Sequence, residues 1–133
     1  MNNDNINISK IETYINSVVD GVVSNNVFFT ALPDKSVIDS SDWSEMVLID
    51  SPEGIKDFDA YGQGHFFIAL YARPFGSGKK NVAKMAELEE KLNKAISNAP
   101  ITNYVLRRDD VHSTYDTDIK WHCNVYTYII QVI

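Results

Sequence analysis

Residues 65–73 read H-F-F-I-A-L-Y-A-R, and no other stretch restricts the fold as strongly. In an extended strand successive side chains point to opposite sides of the sheet. Phe66, Ile68, Leu70 and Ala72 therefore share one face, while Phe67, Ala69 and Tyr71 share the other. Both faces are largely apolar, so a cover is expected on each.

Two helices flank the strands. Over residues 8–23, Ile8, Ile11, Ile15, Val18 and Val22 recur in steps of three and four, which draws one apolar stripe along a helix. Ser9 and Glu12 have the spacing of a capping box, and Gly21 with the Ser24–Asn25–Asn26 cluster ends the segment. Residues 81–98 form the second helix, with Val82, Met85, Leu88, Leu92 and Ile96 on its apolar side. Glu87–Lys91 and Glu90–Lys94 stand in the favourable i, i+4 order.

The rest is strand and loop. Residues 27–32 read as a short strand stopped by Pro33, residues 33–42 as polar turns, and residues 43–50 as a second strand around M-V-L-I. Residues 51–64 hold too much Gly, Pro and Asp for regular structure, and a connection of that length is more often functional than a plain turn. Residues 104–111 and 119–132 read as a hairpin with its turn around S-T-Y-D-T-D. In the last strand Trp121, Val125 and Ile129 share one face, and Tyr126, Tyr128, Ile130 and Val132 the other.

The order α-β-β-β-α-β-β lacks regular βα alternation, which predicts an α+β fold: a mainly antiparallel mixed sheet of about five strands with two helices on one face. No linker or repeat divides residues 1–133, so one domain is expected. The second face would be covered in part by residues 51–64 or by another subunit, and the subunit is the preferred expectation.

The bulk chemistry narrows the function. A net charge of −6 over 133 residues gives no global attraction to nucleic acid. No apolar run approaches the ~20 residues that span a bilayer, and the first residues lack both a cationic start and an apolar core. The only cysteine, Cys123, permits no intrachain disulfide and fits a reducing compartment.

Several chemical motifs are imitated and none is completed. G-S-G-K at 76–79 suggests a phosphate-binding loop, but Arg73 stands where its first glycine belongs and Lys80 where its hydroxyl belongs. The alternative is a strand-to-helix turn in which Gly76 and Gly78 supply unusual backbone angles and Asn81 or Ser77 caps the helix. Asp57, Asp59 and Gly62 imitate a calcium loop, but Tyr61 replaces an oxygen ligand and Ile68 the closing glutamate. His122 and Cys123 are adjacent in a strand, so they face apart and chelate poorly together. Cys123 could act as a nucleophile with His65 or His112, although a lone strand cysteine is better read as a small core residue. Arg107–Arg108 followed by Asp109–Asp110 reads as a solvated strand end or a charged contact surface. No catalytic residue, metal site or cofactor is expected.

The phrase D-A-Y-G-Q-G-H-F-F-I-A-L-Y-A-R-P at 59–74, followed by the helix K-N-V-A-K-M-A-E-L-E-E-K-L, resembles the phage tail terminator, or tail completion, proteins. The resemblance runs across most of the chain as an arrangement of elements. It implies a structural subunit of a tail or neck that caps the tail tube as a homo-oligomeric ring and meets head-completion proteins. It also implies assembly in the cytoplasm of a bacterial host and a place in the virion tail. Nucleic acid and membrane are not expected partners. On exposure grounds, the expected protein contacts are Asp57, Asp59, Tyr61 and Gln63 in the long loop, and Lys79 and Lys80 in the glycine turn. Two alternatives come from other classes: a small ligand-binding or regulatory α+β module, and an enzyme using Cys123 with a histidine.

Overall fold

The computed structural model describes residues 6–51, 54–58 and 61–133. Helix α1 (Ile8–Val19) opens at Asn7, whose side chain accepts a hydrogen bond from the Lys10 amide. Asn7, rather than the expected Ser9, is thus the cap. Ser9 lies in the first turn, where its carbonyl accepts from Thr13 Oγ1. The helix also stops earlier than its periodicity predicts. Gly21 has φ +75, a left-handed angle that ends helical geometry, and its amide donates to the Ser24 carbonyl. Val22 consequently points to solvent, and Val19 and Val23 take its place in the core.

Strand β1 (Val27–Phe29) is three residues long, and helix α2 (Lys35–Ser40) follows it. The chain then forms β2 (Glu45–Asp50), the two-residue β3 (Lys56–Asp57) and the eleven-residue β4 (Gly62–Ala72). Helix α3 (Val82–Ser97) precedes the long hairpin of β5 (Tyr104–Asp116) and β6 (Trp121–Val132). The sheet runs β1-β2-β4-β6-β5, with β3 paired to the start of β4. Only β1 and β2 are parallel; every other pairing is antiparallel. The expected α+β class and mainly antiparallel mixed sheet are therefore observed, with six strands and three helices among the described residues.

The first face carries the larger core. Ile11, Ile15 and Val19 of α1 and Met85, Leu88 and Leu92 of α3 are buried in one cluster with Phe66, Ile68 and Leu70. Each such side chain stabilises the fold by about 1.5–3 kcal/mol relative to leaving it in water. In α3 the buried stripe is Met85, Leu88, Leu92 and Ala95, while Val82 is 64% exposed, outside the stripe its spacing predicts.

The second face is covered by the chain itself at one end. The expected polar turns at 33–42 contain α2, whose Ile38 is fully buried with Met46, Ala69, Tyr71, Ile119, Trp121 and Cys123. Arg73 fastens this cover. Its Nε donates to the Trp43 carbonyl at 2.7 Å, and its terminal nitrogen donates to the Ile38 carbonyl at 2.9 Å. A cation at a helix C-terminus also opposes the partial negative charge there.

The long loop, the less favoured of the two covers expected for the second face, reaches it among the described residues where Ser51 and Gly54 border His65 and Phe67. Ile55 packs on the first face, beside Gly62 and Gly64. The approach requires glycine: a Cβ at Gly64 would stand 2.6 Å from the Gly54 carbonyl oxygen.

Candidate interaction surface

The residues expected to form contacts fall into two groups. Asp57 is exposed in β3 and pairs with Gly62. Tyr61 stacks on Phe58 with ring centroids 4.9 Å apart, and the Phe58 amide donates to the Tyr61 carbonyl. Lys56 Nζ stands 5.3 Å from the Phe58 ring centroid. Gln63 is half-buried between Lys56 and Gln131. Asp59 lies outside the described residues. This group occupies the Gly62 end of β4.

Lys79 and Lys80 follow the Ala72 end of β4, so the sheet separates the two groups. Lys79 is exposed. Lys80 is half-buried, its Nζ 3.4 Å from Asn124 Oδ1 and 3.5 Å from Ser113 Oγ. The glycine turn is occupied by its own hydrogen bonds: the Gly78 amide donates to Phe75 and the Phe75 amide to Lys79. Gly78 has φ +83, whereas Gly76 is not left-handed, and Asn81 rather than Ser77 caps α3 by accepting from the Lys84 amide. This turn closes on itself instead of cradling an anion.

The imitated catalytic sites are likewise filled by structure. Cys123 is 3% exposed, and burial pushes its thiol pKa up, so little thiolate is present near neutral pH. The His122 ring lies on the other face, with Nε2 3.3 Å from the Gly78 carbonyl oxygen. Among the described residues, no three or more His, Cys, Asp or Glu side chains are placed to hold a metal ion. An open cleft of about 320 Å³ lies between residues 21–26 and 42–45, bordered by Lys91. Beside it the half-buried Lys84–Glu45 ion pair, 2.8 Å long, raises the Lys84 pKa through the hydrogen bond to Glu45.

Two larger surfaces remain. The first is the part of the second face that α2 leaves bare. Phe67, on the central strand β4, is 40% exposed there, and Val125 and Leu48 are half-buried. A hollow of about 290 Å³ adjoins it, lined by Ser51, Gly54, His65 and Phe67. The second is β5, which is exposed at every residue from 107 to 115. This strand continues to Asp116, beyond the expected residue 111, and β6 starts at Trp121 rather than 119. The hairpin turn is set by Asp116, whose Oδ1 accepts from the amides of Asp118 and Ile119. The Arg-Arg-Asp-Asp run was legible as a charged surface, but its position on a free sheet edge was not. In comparisons with known proteins, the chain matches no family model and no curated protein sequence.

Proposed function

We propose that the protein is a non-catalytic assembly subunit of a phage or prophage tail or neck, capping the tail tube as a homo-oligomeric ring. The observation that carries the self-association is Phe67: a large aromatic residue on the central strand, 40% exposed where no helix or strand among the described residues lies over the sheet. A contiguous apolar patch left in water marks a site of contact with another protein, and here half-buried Leu48 and Val125 extend the patch around Phe67. The tail assignment draws on the resemblance of residues 59–74 and the following helix to tail terminator proteins. In this reading the bare face meets neighbouring subunits, and the Asp57–Gln63 and Lys79–Lys80 ends face the tube and the head-completion proteins. Assembly would take place in the cytoplasm of a bacterial host.

Light scattering and negative-stain imaging of the purified chain, alone and with isolated tail tubes, test the proposal. The expected result is a ring that binds the end of the tube. A strict monomer at high concentration that also fails to bind tubes would overturn it.

A further inference from the structure

β5 closes one side of the sheet, and among the described residues it pairs only with β6. An exposed edge of this length is a template for another strand. Its centre reads Arg107-Arg108-Asp109-Asp110. Reversed in chain direction, this run is its own charge complement: two cations meet two anions. A run of a single sign would repel a second copy, whereas this one attracts a copy lying antiparallel to it.

The backbone permits the match. Side chains directly opposite each other in an antiparallel pair occupy the same face. In an unbroken strand Arg107 and Asp110 would point to opposite faces, because three steps separate them. The register shift between Arg108 and Asp110, a β-bulge, changes that. Arg107 stands opposite Ile129 and Asp110 opposite Thr127, alternate residues of β6 that share the second face. Leu106 and Val111 stand opposite Ile130 and Tyr126, both on the first face. Without the bulge the charges could not meet across a two-fold axis; with it they can, and an apolar pair meets on the other side.

We propose that β5 pairs antiparallel with β5 of a second copy, across a two-fold axis between Arg108 and Asp109. Arg107 of each molecule meets Asp110 of the other on the second face, and Leu106 meets Val111 on the first. Arg107 has no hydrogen bond or ion pair to a described residue that would compete. Among the described residues, the Asp110 carboxylate pairs only with the exposed His112, at 3.4 Å. Arg108 is turned to Asn93 of α3, 3.3 Å away, and leaves the axis clear. Such a contact is isologous and closes on a dimer. It stands on the edge strand alone, whether or not the bare face builds a ring.

Sedimentation velocity over a concentration series tests it. The chain is expected to pair through β5, as a plain dimer where Phe67→Asp blocks the ring, and more tightly at low salt. Arg107→Asp places two acidic groups in contact twice, and Asp110→Arg two basic groups, so each variant should self-associate at least about tenfold more weakly. Mixed in equal amounts, the two variants are complementary at both contacts and should regain the wild-type dimer. Thermal melts of each variant check that both are folded; should either fail, Arg107→Gln and Asp110→Asn replace them, with a smaller loss expected in each. A wild-type monomer at every concentration, reversals without effect, or a mixture that stays monomeric would overturn the proposal. Phe67→Asp separates the two surfaces, since it should abolish a ring and leave this dimer intact.

Discussion

The Arg73 guanidinium lies 5.0 Å from the ring centroid of Trp121. The same group holds the carbonyls of Trp43 and Ile38, so one side chain joins the end of β4, the end of α2 and the start of β6. Arg73→Ala should lower stability by about 1–3 kcal/mol, because it takes the side-chain donor from the Trp43 carbonyl, leaves the Ile38 carbonyl to Ser41 alone, and removes the contact with the ring. Arg73→Lys should recover less than half, since an ammonium lacks the planar fork that reaches two carbonyls at once. Urea denaturation measures the loss. Trp43 and Trp121, the protein's two tryptophans, both lie at this joint, so a red shift of native fluorescence would report its loosening.

Tyr128 offers the opposite case. Its hydroxyl is buried and has no hydrogen-bond partner among the described residues, while its ring stacks on Phe66 at 5.4 Å. Tyr128→Phe keeps the ring and removes the unpaired group. The variant should be about 1 kcal/mol more stable in urea denaturation; a loss of 1 kcal/mol or more would show that the hydroxyl is satisfied in solution.

Gly64→Ala should destabilise the fold by about 1–3 kcal/mol, since the new methyl would meet the Gly54 carbonyl oxygen at 2.6 Å and backbone would have to move. Gly76→Ala, where a Cβ meets nothing within 4 Å, is the matched control and should be near neutral in the same thermal melt.

Burial raises the phenol pKa of Tyr71 and Tyr128 above the ordinary 10.0, with the charges of Cys123 and Asp116 adding to it at Tyr71 and that of Tyr126 at Tyr128. The native state therefore keeps protons that the unfolded chain loses. Stability from these groups is whole below about pH 10 and falls above it, by up to about 1.4 kcal/mol per pH unit for each phenol. Denaturation midpoints measured from pH 8 to 12 should be flat and then fall. In Tyr128→Phe the fall should be shallower.

Cys123 should react with a thiol reagent at pH 8 only as fast as the sheet opens, because the thiol is buried and its pKa is raised. Labelling rates in sub-denaturing urea should track the global unfolding free energy. Fast labelling in buffer alone would contradict the observed burial.

The sequence carried the long, regular parts of this fold and missed the short or distant ones. Strand β4 was legible because its two apolar faces repeat over many residues, and α3 because Met85, Leu88 and Leu92 recur at helical spacing. Helix α2 was not, since six residues around a single buried Ile38 give no period to read. Ser9 and Asn7 compete as caps within one turn, and only geometry chooses Asn7. The reach of Arg73 to Ile38 joins residues far apart in the chain, which no local pattern records. The charges of β5 could be seen in sequence, but the bulge that brings Arg107 and Asp110 to one face depends on pairing with β6.

That pairing also bears on how the chain folds. β5 and β6 are joined by a turn at residues 117–120, so they can zip from Asp116 and Trp121 outward with little loss of loop entropy. β4 reaches β6 only after the whole of α3 and β5 has been spanned, with Ala72 meeting His122 and Gly62 meeting Val132. Such a closure is slow because its entropy cost precedes its reward. The edge offered to a second copy is thus built by a hairpin that zips from its own turn, while the core beneath the helices waits on a far more distant pairing.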